Sequence, residues 1–149
     1  MARRASSLPS PELERRVAKA RSELAADAVE WTRDGDEGLS ATTSAVLCVD
    51  SLPDGDAEVM AVLERWKRVL PLDAELRLIE RTRRESAGLG SLLPTRHHPY
   101  RRDLVAAIRA VGWVITAIDR LDVTVDGSKQ RWVDLHATDL REQVARELA

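Results

Sequence analysis

Three groups of residues in this chain have the types and spacing to do chemistry. Asp34, Asp36 and Glu37 fall in the turn-rich stretch Arg33-Asp34-Gly35-Asp36-Glu37-Gly38, directly after the β-prone run Val29-Glu30-Trp31-Thr32. An ionised carboxylate there offers only acceptor oxygens, which suits the donor groups of a ligand. The plainer reading makes all three turn residues. Asp50 follows the apolar run Ser44 to Val49, at the carboxyl end of an expected strand, and a carboxylate can serve as a general base. Together with Asp54 it equally suits capping the loop and the next helix. His97 and His98 stand in a long irregular stretch beside Arg96, Arg101 and Arg102, and imidazole titrates near neutrality, so either fits a general base. Adjacent histidines are poorly spaced for a metal on any regular element, and no Cys or acidic cluster accompanies them, so no metal site is expected. Exposed loop histidines are the plainer reading of that pair.

The remaining reactive side chains read as structural. Cys48 is the sole cysteine, which excludes an intramolecular disulfide, and within Ala45-Val46-Leu47-Cys48-Val49 it reads as a buried, inert thiol. His136 sits on an expected strand, and Trp31, Trp66, Trp113 and Trp132 are expected in the core. No phosphate-binding loop, nucleophile elbow or cysteine pair is present in the sequence.

These residues need a scaffold, and 149 residues are enough for one domain with a real core. The formal net charge of −2, with acids interspersed among the arginines, gives no reason to expect nucleic acid or an anionic membrane as partner. No apolar run approaches membrane-spanning length, and Met1-Ala2-Arg3-Arg4 leads into Ser and Pro rather than an apolar signal core. A cytoplasmic protein is the expectation.

Residues 1–9 carry no periodicity and read as a flexible tail, leaving 10–149 as the domain. Ser10-Pro11-Glu12 opens a helix with Leu13, Val17, Ala20, Leu24 and Ala28 on its apolar face. Ser44 to Val49 reads as a strand buried on both faces. A second helix is expected from Asp56 as cap, with Val59, Val62, Leu63, Trp66, Val69 and Leu70 inward, stopped by Pro71. Glu75 to Glu80 alternates as a strand, 81–99 reads as a long loop, and a third helix spans Tyr100 to Val111 with Gly112 as its cap. Trp113 to Ile118, extending toward Val125, and Trp132 to Ala137 form two strands returning through Asp126-Gly127. A last helix, capped by Asp139 and striped by Leu140, Val144 and Leu148, is expected to cover part of the core. Alternating strands and helices imply a mostly parallel sheet, with ligands at the strands' carboxyl ends: Arg33 to Gly38, Asp50 to Asp54, Arg81 to Gly90 and Asp119-Arg120.

In this order the segments resemble the later part of the class I S-adenosylmethionine-dependent methyltransferases. Val29-Glu30-Trp31 and its acidic turn are similar to the family's third strand, and Ala45 to Leu52 to its fourth. Val62 to Pro71 is similar to the helix that ends in a leucine-proline turn, and Glu75 to Glu80 to the fifth strand. Asp103 to Trp113 looks like the late helix-Gly-aromatic passage, and Trp132 to Ala137 like the antiparallel final strand. The resemblance runs from Glu12 to Thr138. It implies an α/β, partial Rossmann-like three-layer fold with a mostly parallel sheet, an antiparallel last strand and an extra C-terminal helix. It also implies Asp36 and Glu37 near the cofactor's adenine, S-adenosylmethionine as cofactor, and a small-molecule acceptor near Asp50, His97 or His98.

The family's glycine-rich cofactor turn and its second strand have no counterpart here. In the family the first strand lies beside the fourth, so without it the strand at Ser44 to Val49 has an apolar edge that a second copy or partner chain covers, unless the topology differs or the chain is a fragment. Two functions follow: methyl transfer to a small molecule, or a non-catalytic binding or assembly module, including a truncated remnant.

Overall fold

The computed structural model describes residues 8–82 and 103–148. Along the chain run α1 (Pro11–Ser22), β1 (Val29–Trp31), β2 (Ala45–Val49), α2 (Asp56–Val69), β3 (Glu75–Thr82), α3 (Leu104–Val111), β4 (Trp113–Val125), β5 (Ser128–Asp139) and α4 (Leu140–Leu148). This is the order expected from the periodicities. The strands make one sheet, β1-β2-β3-β5-β4. The first three strands run parallel, and β5 runs antiparallel between β3 and β4. The fold is therefore α/β and partly Rossmann-like.

Alternation along β3 sends Leu76, Leu78 and Glu80 to one face and Arg77, Ile79 and Arg81 to the other. On the first face α2 and α3 pack Val59, Leu63, Trp66, Leu104 and Ile108 against Leu76, Leu78 and Leu135. On the second, Leu13, Val17 and Ala20 of α1 cover Leu47, Ile79 and Trp132. All four tryptophans are buried, as their apolar surroundings imply. Of the expected tail, residues 1–7 lie outside the described residues, while Leu8 packs against the α1-side cluster.

Several boundaries differ from expectation. α1 ends at Ser22, short of Ala28, because the chain turns to lay β1 beside β2: Ala28 N–H donates to the Ala25 carbonyl (3.0 Å), and Ser44 N–H to the Asp27 carbonyl (3.2 Å). The cap of α2 is Gly55, and Asp56 lies in the first turn, where its charge suits the helix's positive end. α3 starts at Leu104, because Asp103 caps it through a bond from Ala106 N–H (3.1 Å). The expected residues Tyr100 to Arg102 lie outside the described segment. Gly112 caps α3 in the left-handed region (φ 90°), where any side chain would be strained. Asp126 and Gly127 both have positive φ (49° and 80°), the requirement of a tight two-residue hairpin.

Three corrections concern topology. β1 pairs directly with β2, in register from Val29–Val46 to Trp31–Cys48, so the edge expected to be open is filled. β4 continues unbroken to Val125, which leaves Asp119 and Arg120 within the strand rather than at a carboxyl end. It carries a bulge between Ile115 and Ala117, and its charges suit an edge strand. α4 buries none of its side chains: Leu140, Val144 and Leu148 are exposed, so this helix does not extend the core.

The α1 layer is fastened to the sheet by charge. Asp134, a buried side chain on β5, accepts from Arg77 Nε and Nη2 (both 3.2 Å) and from Arg16 Nη1 on α1 (3.1 Å). Removing one member of such a cluster strands the others in a poorly solvated place. Asp134→Ala should lower stability by about 2–3 kcal/mol, seen as a lower urea midpoint at unchanged slope. A loss under about 0.5 kcal/mol would show that the cluster does not hold α1.

Candidate functional site at the carboxyl ends of the parallel strands

A cleft of about 380 Å³ opens where β1, β2 and β3 end, lined by Thr32, Arg33, Asp34, Asp50, Ser51 and Arg81. Its floor is the turn after β2. Asp50 takes a left-handed backbone (φ 44°), a conformation that disfavours a side chain and persists only when neighbours impose it. Those neighbours are visible. Asp50 N–H donates to the Ile79 carbonyl (3.0 Å), and Ser51 Oγ–H to the Val49 carbonyl (2.8 Å).

Beneath the turn lies Glu80, fully buried on β3. Its carboxylate accepts from Ser51 N–H (2.8 Å), Leu52 N–H (3.2 Å) and the Cys48 thiol (3.3 Å). Reading the chain for reactive groups passes over Glu80. The signal for it is the phase of β3, since Glu80 follows Leu76 and Leu78 on the apolar face. The buried state of Cys48 agrees with an inert thiol.

Two arginines flank Asp50. Arg81 donates from Nε to Asp50 Oδ1 (3.2 Å) and lies over the Trp132 ring (5.5 Å to the centroid), a placement that favours the cation. Arg33 donates to the Ser51 carbonyl through Nε (2.8 Å) and to the Leu52 carbonyl through Nη2 (2.6 Å), with Asp54 at 3.7 Å. The cleft thus presents two guanidinium groups and the carboxylates of Asp34 and Asp50 side by side, a set that suits hydroxyl, ammonium and carboxylate groups on a ligand.

The other expected site residues are placed differently. Asp36 is outside the cleft lining, with Oδ1 accepting from Trp31 Nε1–H (2.7 Å) and Oδ2 from Arg65 Nε–H (3.0 Å). It ties the turn after β1 to α2. Glu37 is exposed. Because β1 lies beside β2, it occupies the position that the resembled family gives its first strand, and the acidic turn follows that position rather than the third strand's. His97 and His98 lie outside the described residues. His136, half-buried on β5, lines a second trough of about 720 Å³ beside α1, where Arg16, Arg77, Asp119 and Asp134 form the ion pairs that fasten that helix. Among the described residues no His, Cys, Asp or Glu cluster is placed to hold a metal.

The architecture is a partial Rossmann-like sheet with a small polar cleft at its carboxyl ends. The sequence matches no protein-family model and none of the curated proteins. Among solved structures it is similar to a functionally unknown protein from Deinococcus radiodurans R1, at 13% identity and a TM-score of 0.40 over 66% of this chain and 51% of that one. It is also similar to the 16S rRNA (adenine(1408)-N(1))-methyltransferase from Catenulisporales acidiphilia, a tryptophan-to-alanine mutant with cosubstrate SAM, at 20% identity and a TM-score of 0.38 over 68% of this chain and 52% of that one. The chain spans about half the length of each of these two structures. The match to a methyltransferase fold is distant and partial, and at these scores it fixes neither a family nor a reaction.

Asp36 also gives a pH signature. Burial disfavours its charged form, but the hydrogen bonds from Arg65 and Trp31 and the Arg65 charge outweigh burial and hold the carboxyl below its ordinary value. A depressed folded value means that the stabilisation is complete above the ordinary aspartate range and is lost as pH falls through the folded value. The stability gap between the wild type and Asp36→Asn should be constant near neutrality and shrink on acidification. A gap that stays level or widens toward acid would contradict this assignment.

Proposed function

We propose that this chain is a methyltransferase-like protein whose small-molecule site is the cleft at the carboxyl ends of β1–β3, with S-adenosylmethionine the ligand to test first. One observation supports this above the rest: Asp50 is held in a disfavoured backbone conformation at the end of a central parallel strand, bonded to Arg81 in the cleft lining. Ligands of open parallel sheets bind at that end, and backbone strain collects at functional positions. In this reading Asp50, in the cleft lining, accepts from the ligand's donor groups and stands where an acceptor would be oriented or deprotonated.

The fit to the cofactor is incomplete. Among the described residues the lining offers hydrogen-bonding groups for hydroxyl, ammonium and carboxylate functions, but no large apolar side chain of the kind that walls an adenine ring. No step of methyl transfer follows from these side chains alone.

A second reading, a non-catalytic binding or assembly module, is favoured by a different observation. Asp36 and Asp50 both engage side chains of their own chain, Trp31 and Arg65 for one and Arg81 for the other.

Isothermal titration of the whole chain with S-adenosylmethionine and S-adenosylhomocysteine separates the two, with the mass in solution measured alongside. Micromolar binding, weakened about tenfold or more in Asp50→Asn, would support the cofactor site and justify a screen of small-molecule acceptors. A folded protein that binds neither compound up to millimolar concentration would end the cofactor reading and leave the module.

A further inference from the structure

α4 differs from every other helix in the way it is attached. Its large apolar side chains are all exposed, Leu140 at 46%, Val144 at 44% and Leu148 at 83%, and no side chain of the helix is buried. An isolated nine-residue helix is too short to persist in water by itself, so whatever keeps α4 in place acts at its ends.

The N-terminal end supplies it. Asp139, the last residue of β5, is buried, and it accepts from Arg141 N–H (2.9 Å) and from the Arg141 guanidinium (Nη2 to Oδ2, 2.7 Å). Lys67, in the last turn of α2, stands 3.9 Å from the same carboxylate and also donates to the Val111 and Gly112 carbonyls. Two further bonds close the junction: Arg141 Nη2 to the Lys67 carbonyl (3.3 Å) and Leu140 N–H to the Gly112 carbonyl (3.1 Å). From β4 the residue opposite Asp139 is Trp113. Among the described residues the charged groups that act on Asp139 are Arg141 and Lys67.

We propose that α4 is a latch: it opens from and closes onto the C-terminal end of α2 as a unit while the sheet stays folded, and the Asp139–Arg141–Lys67 junction is what holds it closed. Each attachment is polar and lies within the first two residues of the helix or just before it. Beyond that point none of the helix's side chains is buried, so opening exposes little apolar surface. Burial disfavours the charged form of Asp139, but the bonds from Arg141 and the Lys67 charge outweigh it and keep the carboxyl below its ordinary value. The closed state is accordingly favoured at neutral pH and is weakened as pH falls through that lowered value.

Amide hydrogen exchange of the whole chain at neutral pH tests this. Amides of Val144 to Leu148 should exchange at least about 100-fold faster than those of β3 and β5. Asp139→Asn should speed α4 by a further factor of about 10 and leave β3 and β5 unchanged. Arg141→Gln should act in the same direction, and because that guanidinium is largely exposed it serves if Asp139→Asn fails to fold. The proposal is overturned if α4 is as protected as β5, if neither variant changes α4, or if the variants speed the sheet and α4 together.

Discussion

The antiparallel insertion of β5 between β3 and β4 is the constraint on which the rest of the architecture depends. β5 is paired on both sides, with β3 from Arg131 to Thr138 and with β4 over nearly its whole length. Its backbone groups are thus satisfied inside the sheet, and its side chains must suit two different layers. Val133, Leu135 and Ala137 meet α2 and α3, while Trp132 and Asp134 meet α1. A charged residue on the α1 side is tolerated because arginines from β3 and α1 reach it. The same pairing carries β5 up to the α2–α3 end of the molecule, so α4 begins beside Lys67 and Gly112.

At the opposite end of the strands a buried acid performs the corresponding task. Glu80 stands where a parallel neighbour's loop would otherwise leave peptide N–H groups facing an apolar interior. By accepting two of them it holds the turn after β2 in the shape that turns Asp50 toward the cleft. The cleft's character then follows from its place: Thr32, Arg33, Asp34, Asp50, Ser51 and Arg81 fill the gap between the strand ends with polar side chains.

The element order, both glycine-dependent turns and the four core tryptophans were legible in the sequence, because each leaves a local trace: a period, a left-handed position, an apolar neighbourhood. Strand order leaves no such trace. β1 has only three residues, and nothing in Val29-Glu30-Trp31 tells which strand it will join; its partner is set by where α1 delivers the chain. Likewise the stripe Leu140-Val144-Leu148 shows that α4 has two unlike faces, but not which one meets the protein. Asp50 could be singled out because it ends an apolar run. Its partner Arg81 comes from β3, and only the parallel pairing of β2 and β3 brings the two together.

The distribution of tryptophan has an optical consequence. The chain has no phenylalanine and one tyrosine, so its near-ultraviolet emission belongs almost entirely to indole. Trp31, Trp66 and Trp113 lie in the layer under α2 and α3, with Trp31 and Trp66 edge to face at 5.4 Å. Trp132 alone lies under α1, with a guanidinium above its ring. The two layers of this small domain therefore carry separate intrinsic chromophores. A chain keeping Trp132 as its sole indole would emit from the α1 layer, and one lacking it from the other layer, without any added label.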